Sequence, residues 1–166
     1  MRPPSLYNHV KGLGDLRAAV ALSGIVALGD RMTRAAVGRA GDEALFAIGR
    51  AYREFARDFP GRYMASIRWM VPGNPQHDAQ VGRAVEVVTQ VLASYGLHGH
   101  AALHATRVLR SGLHGFVSLE GMGGFALELD QDASFDWFLE AFSAICLLSS
   151  AESATLSRRN EAPQKE

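Results

Sequence analysis

Apolar residues recur along this chain at helical spacing, with no convincing strand-like alternation. Over residues 13–37 they fall at Leu16, Val20, Ile25, Leu28 and Met32, close to the 3.6-residue period. Gly24 and Gly29 weaken this helix without a proline to stop it, and Gly38 and Gly41 mark its end. Asp42 and Glu43 open a second helix with Leu45, Ile48, Tyr52, Phe55 and Phe59 on one side, and Pro60-Gly61 closes it. A short helix follows over residues 62–70, with Tyr63, Ile67 and Met70 roughly in line. Val71-Pro72-Gly73-Asn74-Pro75 is a loop. Residues 76–95 carry the stripe Val81, Val85, Val88 and Leu92, and Gly96 ends it. Another helix spans 101–121, before the glycine-rich break 121–125. Ser134 reads as the N-cap of a last helix running to about 149, with Asp136 in its first turn. Phe135, Phe138, Leu139, Phe142, Ile145 and Leu148 line it. The polar residues 150–166 read as a disordered tail. The expected fold class is all-α.

A chain of 166 residues is one ordinary domain with room for a real core. Its 17 basic residues balance its 17 acidic ones, so no global field draws it to nucleic acid or membrane. The charges are unevenly placed. Residues 1–40 hold six basic side chains against two acidic, and residues 96–149 hold two against six. A basic start and an acidic end suit a molecule whose N-terminal tip faces phosphate, and equally suit plain surface variation. The single cysteine, Cys146, excludes an internal disulfide, suggests a reducing compartment and sits in an apolar run as a small core residue. No apolar run reaches the roughly 18 residues that span a bilayer, and the start lacks the pattern of a signal peptide. A cytoplasmic protein is expected.

Catalysis has little support. No glycine-rich phosphate loop follows a strand, and neither a Gly-x-Ser-x-Gly elbow nor a His-Glu-x-x-His motif occurs. His98, His100 and His104 form a His-x-His-x-x-x-His cluster, and the last two share a helix face. With no acidic or cysteine partner nearby in sequence, they read as solvated histidines at a helix end. No metal and no cofactor are expected.

The first informative motif runs from Pro4 to Leu16. Ser5 is a plausible N-cap, Leu6 and Val10 bury one stripe, and Tyr7, His9 and Lys11 offer polar tips near one helix end. Leu6, Tyr7, His9, Val10, Lys11 and Leu16 resemble the end of the DNA-binding domain in the tetracycline-repressor (TetR) family of bacterial transcription regulators. The resemblance implies that residues 1–18 are the remnant of a helix-turn-helix, its first helices truncated. It implies contacts from Tyr7, His9 and Lys11 to DNA phosphates, with Ser5 and Asn8 near the base edges. Residues 19–149 are then the ligand-binding and dimerisation domain.

A second motif runs from Val108 to Phe125. His114-Gly115, Leu119-Glu120 and Gly124-Phe125 are similar to the signature of a C-terminal subclass named for Trp, His and Gly, with Arg110 at the tryptophan position. The resemblance implies an all-α, homodimeric regulator of repressor type, whose middle helices enclose a pocket for a small apolar or aromatic ligand. Tyr52, Phe55, Phe59, Tyr63, Ile67 and Met70 are its candidate lining. His114 reads both as a hydrogen-bonded core histidine and as a pocket contact, with Gly112 and Gly115 leaving space beside it. The last two helices carry surplus apolar surface at Leu113, Phe116, Val117, Phe135, Phe138 and Phe142, which the resemblance places in a four-helix-bundle dimer interface. The implied partners are a second copy, operator DNA and the ligand, with no membrane. The alternative is a small-molecule-binding or dimerisation module without DNA activity.

Overall fold

The computed structural model describes residues 12–71 and 73–160, with side chains described through residue 151. Six helices carry these residues: α1 (Leu13–Ala36), α2 (Gly41–Asp58), α3 (Pro60–Arg68), α4 (Pro75–Ala93), α5 (Gly99–Gly121) and α6 (Gln131–Asn160). The boundary expected between residues 18 and 19 falls inside α1. The candidate DNA contacts Ser5, Tyr7, Asn8, His9 and Lys11 lie outside the described residues.

Helix α2 is the hub and packs against each of the other five. Its strong apolar stripe explains this: Leu45, Ile48, Tyr52 and Phe55 are all buried. Phe59 departs from the expected stripe. It is the junction residue between α2 and α3, it is 43% exposed, and the Arg62 guanidinium lies over its ring at 5.7 Å. Helix α1 packs on α2, α3 and α4. Gly24 is required by this packing. A Cβ there would sit 2.5 Å from the Arg62 carbonyl oxygen on α3, so the residue that weakens the helix locally permits the close crossing.

The N-terminus of α2 has no side-chain cap of its own. A tertiary contact supplies one of the missing bonds, and others anchor the first turn. Ser94 Oγ accepts from the Gly41 amide at 3.0 Å. Asp42 Oδ1 accepts from the Tyr95 hydroxyl at 2.6 Å and from Ser143 Oγ at 2.5 Å, tying α2 to the end of α4 and to α6. The Ser143 bond, then the Tyr95 bond, hold the Asp42 carboxyl below its ordinary value of 3.8. A lowered carboxyl pKa stabilises the fold at pH values above the unfolded pKa, and this contribution is lost as the pH falls through the folded pKa. Asp42→Asn should therefore lower the urea midpoint at pH 7 and flatten its decline toward pH 3. An unchanged pH profile in that variant would remove Asp42 from the acid response.

Helix α6 starts earlier and ends later than expected. Asp130, not Ser134, caps it: Asp130 Oδ1 accepts from the Asp132 amide at 2.8 Å. Ser134 Oγ instead donates back to the Asp130 carbonyl at 3.0 Å, from inside the first turn. The helix continues to Asn160, where a disordered tail was expected from residue 150. Its inward stripe is Phe135, Leu139, Phe142 and Cys146, all at 2% exposure or less. Burial pushes the Cys146 thiol up to about 11.

Candidate functional site

A cavity of about 110 Å³ lies between five helices. Helix α1 contributes Ile25, Leu28 and Met32, and α2 contributes Tyr52. Ser66 and Ile67 come from α3, with Met70 just beyond it. Val81, Ala84, Val85 and Val88 come from α4, and Thr106, Leu109, Arg110 and Leu113 from α5. Val81 and Val85 belong to the predicted α4 stripe, yet both are only half-buried, because the void takes the place of packing partners. A larger hollow of about 200 Å³, near Thr33, Arg39, Gln90 and Ser94, has a more polar lining and is less suited to an apolar guest.

Polar atoms in the first cavity are few, and most are engaged. Ser66 Oγ donates to the Tyr63 carbonyl at 2.7 Å, and Thr106 Oγ1 donates to the Ala102 carbonyl at 2.7 Å. The Tyr52 and Tyr63 hydroxyls share a 2.9 Å hydrogen bond. The Tyr63 hydroxyl shares another, of 2.6 Å, with His114 Nδ1. Two proton arrangements run the row in a single direction. Either Tyr52 donates to Tyr63 and Tyr63 to a bare Nδ1, or a protonated Nδ1 donates to Tyr63, Tyr63 donates to Tyr52, and the Tyr52 proton is free. Burial raises the pKa of both tyrosines, and the nearby Arg110 charge pulls both back down. Both hydroxyls stay neutral near pH 7.

Among the seven residues expected to contact ligand, Tyr52, Ile67 and Met70 line the cavity. Tyr63 and His114 stand behind Tyr52 in the hydrogen-bonded row and are not on the wall. Phe55 is packed in the core at 2% exposure, beside Phe59 at 5.5 Å between ring centroids. Phe59 lies at the α2–α3 junction, away from the cavity. Gly112 leaves no void, because its niche is filled by the Phe138 ring, 2.4 Å from where a Cβ would stand. The α1 and α4 walls were missed. Their apolar residues have the same 3.6-residue spacing as core residues, and periodicity does not separate a wall from a packed face.

Most of the expected dimer residues are occupied within the single chain. Leu113, Val117, Phe135 and Phe142 are buried within this chain, and Phe116 and Phe138 pack half-buried against them. Phe116 meets Phe125 and Phe135 at 4.9 Å between centroids. The apolar residues that reach solvent are others: Val108 on α5, and Trp137, Ile145 and Leu148 on α6, each more than half exposed. On α6 these outward positions are spaced as one helical stripe.

Glu120 acquires a physical role. It holds Arg53 of α2 through a paired contact, Nη2 to Oε1 at 2.6 Å and Nε to Oε2 at 3.0 Å. Arg53 is 7% exposed, and its guanidinium lies over Phe135 at 4.8 Å and Phe116 at 5.3 Å. His98, His100 and His104 are exposed near the start of α5.

Comparison with known proteins agrees with this architecture. Residues 45–142 match the family described as Tetracyclin repressor-like, C-terminal domain. The uncharacterized HTH-type transcriptional regulator Rv0681 of Mycobacterium tuberculosis is 44% identical over 133 residues, covering 80% of this chain and 61% of that protein. The chain thus spans about three fifths of the mycobacterial relative. The uncharacterized HTH-type transcriptional regulator YobS of Bacillus subtilis is 36% identical over 143 residues, covering 86% of this chain and 74% of that protein. Among solved structures, SCO4313 superposes with a TM-score of 0.70 at 24% identity, over 86% of this chain and 79% of the other. A protein of unknown function from Rhodococcus sp. RHA1 superposes with a TM-score of 0.69 at 21% identity, over 82% of this chain and 74% of the other. These two likenesses concern the fold.

Proposed function

The chain belongs to the tetracycline-repressor-like family, and from that premise we propose that it serves a DNA-binding transcription regulator as the part that senses a small, largely apolar ligand. One observation carries the reading. Helix α1 begins directly after the Leu6-to-Lys11 motif in sequence, and further along its length it supplies Ile25, Leu28 and Met32 to the cavity wall. A ligand that presses on this wall acts on the helix that leads to the DNA-facing segment. Ligand and DNA are then linked, each weakening the other's binding by the same factor.

In this reading two copies pair through the outer faces of α5 and α6, and the protein works beside DNA in the cytoplasm without catalysing a reaction. Among the described residues, no helix is long and apolar enough to cross a membrane.

The test uses the gene product that carries this chain, bound to fragments of its own genome. Small-molecule pools that raise its melting temperature should also release the DNA. At a hundredfold excess over Kd, a ligand specific for the folded state adds about 2.7 kcal/mol of stability. Ala84→Phe, which fills the cavity from α4, should keep DNA binding and lose both the thermal shift and the release. Retention of no fragment above a nonspecific control, or stabilising ligands that leave DNA affinity unchanged, would refute the proposal.

A further inference from the structure

We infer that the ligand of this cavity is an amphipathic anion, a carboxylate on a short apolar body, held by the guanidinium of Arg110. This rests on the reading of the cavity as a ligand site and names the chemistry of its guest.

The cavity offers apolar walls from α1, α3 and α4, and four polar side chains: Tyr52, Ser66, Thr106 and Arg110. The Ser66 and Thr106 protons already go to backbone carbonyls of their own helices. What remains on those two side chains is acceptor capacity, which a neutral or cationic donor could use only weakly beside a positive charge. Arg110 brings five N–H donors and a permanent charge. Among the described residues no carboxylate lies within ion-pair distance of it, in contrast to Arg31, Arg39, Arg50 and Arg53, each of which has one. Arg110 is exposed while also lining the cavity, so it stands where the cavity meets solvent. Its charge reaches inward, since it acts on the hydroxyls of both Tyr52 and Tyr63. A cation at the opening of an apolar void, with no carboxylate partner among the described residues, matches a molecule with an anionic end and an apolar end.

Size limits the apolar end. A dry cavity of about 150 Å³ accommodates benzene. A void of about 110 Å³ is smaller than that and suits a short chain of a few carbons, with the carboxylate left at Arg110. A carboxylate there also favours the proton arrangement in which Tyr52 donates outward, which places a proton on His114 Nδ1 at the far end of the row.

Pentanoate and pentan-1-ol carry short tails of similar length and differ in the head group, and calorimetric titration of both tests the assignment. Pentanoate should bind the wild type at least tenfold more tightly than the alcohol. Arg110→Gln should erase that preference while leaving the alcohol's affinity within about twofold, and Arg110→Lys should retain part of it. Arg110 is exposed and, among the described residues, holds no ion pair, so the unliganded variants should melt like the wild type. If pentanol binds the wild type as tightly as pentanoate, or if Arg110→Gln leaves pentanoate binding intact, the anion assignment falls and the cavity stands as an apolar site. If neither compound binds the wild type, or if both bind Ala84→Phe as well as the wild type, the cavity reading falls with it.

Discussion

Replacing Glu120 with alanine should destabilise the fold by about 3–5 kcal/mol, the effect of removing one partner from a buried ion pair. The side chains of Arg53 and Glu120 are 8% and 11% exposed, and their contacts join α2 to α5. Without Glu120, the Arg53 guanidinium stays between the Phe116 and Phe135 rings with Asp132 as its remaining carboxylate, 2.8 Å away. Asp132 is 74% exposed, so water weakens that pair. Domains of this size are stable by only about 5–15 kcal/mol, so the loss is a large fraction of the total. Removing both charges tells a different story. Arg53→Met combined with Glu120→Leu should come within about 1–2 kcal/mol of the wild type, because an apolar pair avoids the desolvation of two charges. Urea midpoints at constant slope would measure both effects. A single-mutant loss below about 1 kcal/mol would show that water reaches the pair and that it does little for the fold.

The helices were legible because each has a stripe at 3.6-residue spacing and most have a glycine or proline at their ends. Leu45, Ile48, Tyr52 and Phe55 fall on one face in the sequence, and that face is the centre of the core. Helix α6 shows where the reading stops. It carries two apolar stripes, one through Phe135, Leu139 and Phe142 and the other through Trp137, Ile145 and Leu148. The expected lining ran Ile145 and Leu148 together with Phe135 and Phe142 and left Trp137 out, because periodicity does not say which face meets the rest of the chain. That choice depends on α2 and α5, where Gly49 leaves room for Leu139 and Gly112 leaves room for Phe138. The same limit applies to the cavity. Tyr52, Ile67 and Met70 were identified as aromatic and apolar residues on consecutive helices, whereas Arg110 was singled out only at the tryptophan position of the motif, and nothing in the sequence sets it rather than Arg107 at the cavity. The Glu120 match could be recognised as a motif, but its partner Arg53 lies 67 residues away and its role required the tertiary structure.

The two stripes of α6 also make separable predictions. Trp137→Glu together with Ile145→Glu should convert a dimer to a folded monomer. These side chains are 72% and 54% exposed in the single chain, so the protomer loses almost nothing when they become charged. At the centre of a pairing face each charge would be desolvated without a partner, and hot-spot residues there, tryptophan foremost, contribute about 2 kcal/mol or more apiece. Two such changes weaken association by about a thousandfold or more, since each 1.4 kcal/mol is a factor of ten. Phe142→Glu, at 2% exposure on the inner stripe, should unfold the protomer itself. Sedimentation velocity at micromolar concentration, with helicity followed by circular dichroism, distinguishes the cases. The outer-stripe variant should sediment as a monomer with wild-type helicity, and the inner-stripe variant should lose helicity. A wild-type chain that sediments as a monomer at tens of micromolar would mean that the outer stripe of α6 does not pair two copies.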